Sequence, residues 1–185
     1  MDFISLLLIA VGLSMDAFAV SVAKGLAVTE VKPRHAMLAG VWFGGFQALM
    51  PVIGYLLASS FSAIVVSVDH WIAFALLSFI GLNMIREAVW GDEESGDADF
   101  GVRKMFLMAV ATSIDALAVG VSLAFVGVDI FSAALTIGVV TFAFSFAGIY
   151  LGRSVGSKLG KKAGILGGIV LIAIGIKILI EHLSK

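Results

Sequence analysis

The sequence predicts an all-α membrane protein: six transmembrane helices arranged as two inverted three-helix repeats. Composition, the spacing of long apolar runs and a match between the two halves each point to it. Of 185 residues 61% are hydrophobic and only 14% charged, with a mean hydropathy of +1.12. A soluble domain holds roughly 45–50% apolar and 25% charged residues. Several runs reach the roughly 20 apolar residues that cross a hydrocarbon core about 30 Å thick, and none alternates like an outer-membrane barrel strand.

The first span, 3–27, opens in "MDFISLLLIAVG", which lacks a basic leader and runs past the length of a signal-peptide core, so a retained helix is expected. The second, 35–58, follows "TEVKPRH", where Pro33 suits a helix start, and the third covers 67–89. Hydrophilic "GDEESGDADFG" comes next, followed by spans at 102–126, 130–152 and 163–183. The expected organisation is a first repeat over 1–91, an acidic cytoplasmic linker over 92–101 and a second repeat over 102–185. Ten of the twelve cationic residues fall in or beside the first, third and fifth loops: Lys24, Lys32, Arg34, Arg86, Arg103, Lys104, Arg153, Lys158, Lys161 and Lys162. The positive-inside rule makes those loops cytoplasmic and puts both termini outside.

Aligned on their aspartates, "SMDAFAVSV" (14–22) and "SIDALAVGV" (113–121) agree at six of nine positions, including Ser and Asp. Gly44, Gly54 and Leu57 continue the alignment onto Gly138, Gly148 and Leu151, and "IGLNMIRE" (80–87) onto "IGIKILIE" (174–181). Three spans per repeat is an odd number, so the second copy enters the membrane from the other side, as in many secondary transporters.

Asp16 and Asp115 each lie about 13 residues into a span, roughly 20 Å along the helix and near mid-bilayer. A carboxylate there costs at least about 2.5–3.5 kcal/mol unless it faces protein, water or an ion. Helical spacing puts Gly12, Ala19 and Ala23 on the face of Asp16, and Ala111, Thr112, Ala118 and Ser122 on that of Asp115. Ser14 and Ser113 point elsewhere and are expected to bond their own backbones. Two carboxylates with amide and hydroxyl oxygens suit a hard divalent cation such as Mn²⁺ or Mg²⁺. The candidate metal ligands are therefore Asp16, Asp115, Gln47, Thr112 and Asn83. Gln47 precedes Pro51 by four residues, so its carbonyl loses a helical partner. Gln47 and Asn83 also fit plain interhelical hydrogen bonds, and each aspartate fits a protonated interhelical bond. Lys177 sits in the register of Asn83, either snorkelling to the interface or acting as an internal cation. Gly44, Gly45, Gly167 and Gly168 read as close-packing positions, and Met15 as core.

A net charge of −1 with scattered cations argues against a nucleic-acid partner. No cysteine is present for a disulfide or thiolate metal site, and no P-loop for nucleotide-driven transport. A paired-aspartate membrane protease would bring a GxGD motif, which is absent. No resident cofactor is expected, and the oligomeric state stays open. A coupled carrier, a channel-like pathway and a carrier of another small cation or basic solute all remain compatible with the site.

"GLSMDAFAVSVAKG", "FGGFQALMPVIG", "DHWIAFALLSFIGLNMI", "ATSIDALAVGVSLAF" and "GKKAGILGGIVLIAIGIKIL" resemble the bacterial MntP family of manganese efflux pumps nearly end to end. The resemblance implies an inner-membrane exporter of Mn²⁺ that relieves manganese excess, with Asp16, Asp115 and Gly25 at positions important in the family. Some relatives carry Glu where this chain has Gln47. Mn²⁺ is then the transported substrate, protons the expected counter-ion and membrane lipid the surrounding partner.

Overall fold

The computed structural model describes residues 3–28, 30–90, 100–126 and 128–159, with short helical stretches between 165 and 180. The side chains of 59–73 and of several later positions of the second helix, Asn83 among them, lie outside the described set. The longer elements are four helices, α1 (Phe3–Ala27), α2 (Pro33–Trp90), α3 (Val102–Val126) and α4 (Ile130–Leu159). Among the described residues four segments are long and apolar enough to cross a membrane: Phe3–Ala27, Pro33–Ala58, Val102–Phe125 and Ile130–Val155. They match the first, second, fourth and fifth expected spans. The third was expected to follow a break after residue 58; instead α2 runs on without interruption for 58 residues. Between 59 and 66 the chain reads "SSFSAIVV", which contains neither Gly nor Pro to stop a helix. The sixth expected span, 163–183, and the linker residues 91–99 fall largely outside the described residues.

Local chemistry sets the helix ends. Pro33 occupies the first position of α2, where its missing N–H costs nothing, and the Lys32 N–H donates to His35 Nδ1 at 3.5 Å. Asp129 caps α4: its carboxylate accepts the N–H groups of Phe131 and Ser132 and the Ser132 hydroxyl. These bonds, the Ser132 hydroxyl foremost, hold the Asp129 carboxyl below its ordinary range. A lowered folded-state pKa means that the cap's contribution is complete above the ordinary carboxylate pKa and is lost as pH falls through the lowered value. Asp129→Ala should therefore lower thermal stability at neutral pH, and the difference from the parent should vanish in strong acid; thermal melts of both proteins across pH check this.

α1 barely touches α2, and α3 barely touches α4. α1 lies along α4, α3 lies along α2, and α2 crosses α4. Glycines permit each contact. A Cβ on Gly25 would collide with the Ile149 carbonyl, and one on Gly152 with the Val22 carbonyl. At Gly148 it would sit 2.9 Å from Ser21 Cβ and 3.0 Å from the Phe18 carbonyl oxygen. The α2–α3 seam repeats this: a Cβ on Gly54 would strike the Leu117 carbonyl, and one on Gly120 the Pro51 carbonyl. At the α2–α4 crossing Gly44 and Gly138 stand back to back, each with its missing Cβ directed at the other's carbonyl oxygen, 2.7 and 3.0 Å away. Lipid offers no hydrophobic drive between helices, so this backbone approach, with its dispersion contacts, is what holds them together. Large side chains such as Phe3, Ile4, Leu56, Phe125 and Phe131 point outward, as a lipid-facing surface requires.

Candidate cation site

Where α1 and α3 come near each other, a cleft of about 490 Å³ opens between Ile9, Gly12 and Leu13 of α1 and Asp115, Val119, Ser122 and Leu123 of α3. Gly12 has no neighbour within 4 Å of its Cβ direction, so the absence of a side chain there leaves room beside the carboxylate. Asp115 is half-buried, and its Oδ1 accepts the Ala116 N–H at 2.8 Å. Asp16 is half-buried too and lies one turn beyond Gly12 and Leu13 on α1, but it is not among the residues lining the cleft.

Gln47 ties the second helix to this place. It is fully buried, and its Nε2 donates to the Leu13 carbonyl at 2.9 Å. The interhelical bond allowed for in the sequence is thus present, yet it uses only the amide nitrogen: Oε1 has no hydrogen-bond partner among the described residues. Thr112 is buried one turn before Asp115 and donates its hydroxyl to the Met108 carbonyl at 3.0 Å, which leaves its oxygen lone pairs to act as acceptors. Ser14 and Ser113 bond Val11 and Ala109 of their own helices, as expected from their off-face positions. The Asn83 side chain lies outside the described residues. Met15, read as core, is exposed, because the face next to that of Asp16 turns outward. Gly45, read as a packing position, has nothing near it; Gly44 alone of that pair meets α4. Among the described residues no three acidic, His or Cys side chains gather as a resident metal centre.

Shifting the cleft residues by 99 positions, the offset between Asp16 and Asp115, gives Met108, Ala111 and Thr112 on α3 and Asp16, Val20, Ala23 and Lys24 on α1. All but the half-buried Asp16 are buried. Val20, Ala23, Met108 and Ala111 belong to one apolar cluster with Ala36, Phe43 and Met105. The cleft therefore lies toward the N-terminal end of α1, and among the described residues the matching positions at the other end are closed. That closed end holds features invisible in the sequence. Lys24 is buried with its Nζ 4.4 Å from the centre of the Phe100 ring, and His35 stacks on the same ring at 4.6 Å. Arg153 donates to the Val28 carbonyl at 3.0 Å just past the last turn of α1, a favourable place for a cation. Lys24 and Phe100 are 76 positions apart, too far for helical periodicity to pair them.

Apolar helices long enough to span a membrane, packed together with an ionisable side chain kept in a cleft near mid-length, define a multi-pass membrane protein. The chain belongs to the family described as "Putative manganese efflux pump", whose sequence profile matches residues 30–179. A protein of Acetivibrio thermocellus named "Putative manganese efflux pump MntP" is 53% identical over 185 residues, covering 100% of this chain and 93% of its own. Proteins of the same name from Desulfitobacterium hafniense and Methanosarcina mazei are 51% and 48% identical over 184 residues, each covering 100% of this chain and 97% and 99% of their own lengths. No solved structure matches the chain.

Proposed function

We propose that this protein exports Mn²⁺ from the cytoplasm across the inner membrane by alternating access, exchanging the cation for protons at a midplane site built on Asp16 and Asp115. The observation that carries this reading is the Asp115 carboxylate in the wall of a cleft whose opposite wall, Gly12 and Leu13, leads one turn on to Asp16. Gln47 and Thr112 supply neutral oxygens beside it, and Asn83 is the remaining candidate. Oxygen donors with two negative charges match a hard divalent cation, and the absence of cysteine disfavours softer metals.

The matched α1–α4 and α2–α3 seams support an inverted repeat, each pairing one helix of the first copy with one of the second, and the two pairs move about the Gly44–Gly138 crossing as the pivot. In the proposed orientation the open cleft faces outward and the buried counterpart is its cytoplasmic equivalent, closed in this state. Rocking the pairs about the pivot would exchange the two. Export of a divalent cation against an inside-negative potential costs about 2.3 kcal/mol per charge per 100 mV, so a driving reaction is needed. Two neighbouring carboxylates resist joint ionisation; an empty site holds protons, and Mn²⁺ displaces them.

Purified protein in proteoliposomes should move Mn²⁺ in response to an imposed pH gradient and release protons as it does so. Mn²⁺ flux that ignores the gradient would replace exchange with an uncoupled pathway. Flux of a basic amino acid or of Mg²⁺ in preference to Mn²⁺ would displace the substrate assignment itself.

A further inference from the structure

We infer that Thr141 of α4 is an additional oxygen ligand of the transported cation, facing the site from the α2–α4 crossing; this deepens the Mn²⁺ reading above and rests on it. Thr141 is fully buried, and its Oγ1 has no hydrogen-bond partner among the described residues. That is unusual for a helical hydroxyl, which ordinarily turns back to a carbonyl three or four residues earlier. Thr112, Ser113, Ser122, Thr136 and Ser14 of this chain do so, while Ser21, Ser78 and Ser145 share the unpartnered state of Thr141 among the described residues. A buried hydroxyl left unpaired costs about 1–3 kcal/mol, and its retention calls for a ligand.

Its place in the fold indicates which ligand. Gly44 and Gly138 meet back to back at the crossing, and Gln47 and Thr141 each follow their glycine by three residues, on the same helical face. Thr141 therefore occupies in α4 the register that Gln47 occupies in α2, and Gln47 Oε1 is likewise buried and unpartnered among the described residues, whereas the positions that the repeat matches to the unpartnered Ser21 and Ser145, Gly120 and Pro51, carry no side-chain oxygen. One residue before Thr141, Val140 packs with Ile137 against Leu13 and Ala116, the neighbours of Gln47 and Asp115. Two matched oxygens with open lone pairs thus flank the place where all four helices converge. A hydroxyl and a carboxamide oxygen add neutral, hard ligands to the carboxylates without adding charge.

Thr141→Val keeps the shape of the side chain and removes the hydroxyl, whereas Thr141→Ser keeps the hydroxyl. In proteoliposomes the valine variant should raise the half-saturating Mn²⁺ concentration about tenfold. The serine variant should stay within about twofold of the parent. Thermal stability without Mn²⁺ should be unchanged or higher in the valine variant, since an unpaired polar group has been removed. Equal half-saturation in the parent and the valine variant, or a loss of metal-free stability on its introduction, would overturn the assignment. A parent protein that transports no Mn²⁺ would overturn the underlying reading instead, and is recognised without either variant.

Discussion

Replacing Asp115 with asparagine should abolish Mn²⁺ efflux, raising the half-saturating concentration by at least about 100-fold, or about 2.8 kcal/mol of lost cation binding. Asparagine has nearly the volume of aspartate and still offers one oxygen, so helix packing around Gly12, Leu13 and Val119 is preserved. What disappears is one of the two charges proposed to neutralise the dication, together with the proton that the empty site would carry. Asp16→Asn should match it, because the two residues hold equivalent positions in the repeat. Growth of an exporter-deficient strain in excess Mn²⁺, at expression levels matched by immunoblot, checks both. Full protection by either variant would remove the paired site from the mechanism. Asp115→Glu separates charge from geometry: an extra methylene in a cleft of about 490 Å³ should leave measurable transport with weakened affinity.

The two aspartates stand out in the sequence as candidates because the lipid core makes a mid-span carboxylate so costly that its presence demands a cause, and of the two the structure brings Asp115 to the cleft. The four membrane-competent segments were legible for a related reason: apolar length is a bulk property that a linear reading captures. Oxygens that become conspicuous only through an unmade bond were not. Thr141 reads as an ordinary helix residue, and nothing local separates it from Thr136, whose hydroxyl bonds the Ser132 carbonyl at 2.8 Å. Lys24 was read as a positive-inside residue in a cytoplasmic loop, since burial beneath Phe100 depends on a contact made across the bundle. The glycines fall between these cases. Their alignment is part of what predicts the repeat, but Gly44 and Gly45 read alike in the sequence, and only the crossing geometry distinguishes the one that meets α4 from the one that meets nothing. The uninterrupted α2 has a similar origin: hydropathy marks where apolar runs begin and end, whereas a helix ends only where the backbone meets a breaker or a cap.

Gly25→Val should be strongly damaging although it lies away from the carboxylates. A Cβ at that position would collide with the Ile149 carbonyl and lie 3.1 Å from the Arg153 nitrogen, both backbone atoms of α4 that no rotamer change can clear. α1 and α4 must then separate. Overpacking of this kind typically costs about 1–3 kcal/mol, and the loss spreads along the seam because Gly148 and Gly152 rely on the same close approach. A fall of at least about 5 °C in the melting temperature of the purified protein is expected. Transport should be lost even in molecules that remain folded, since α1 also carries Leu13 and Gly12 to the cleft and Asp16 one turn beyond it. Gly45→Ala supplies the contrast: with nothing within 4 Å of its Cβ direction, it should melt at or above the parent temperature and export normally, alanine being the better helix former. If Gly25→Val instead melts and transports like the parent, the α1–α4 seam is not as tight as its glycines require, and the rigid pairing that the rocking motion depends on is lost with it.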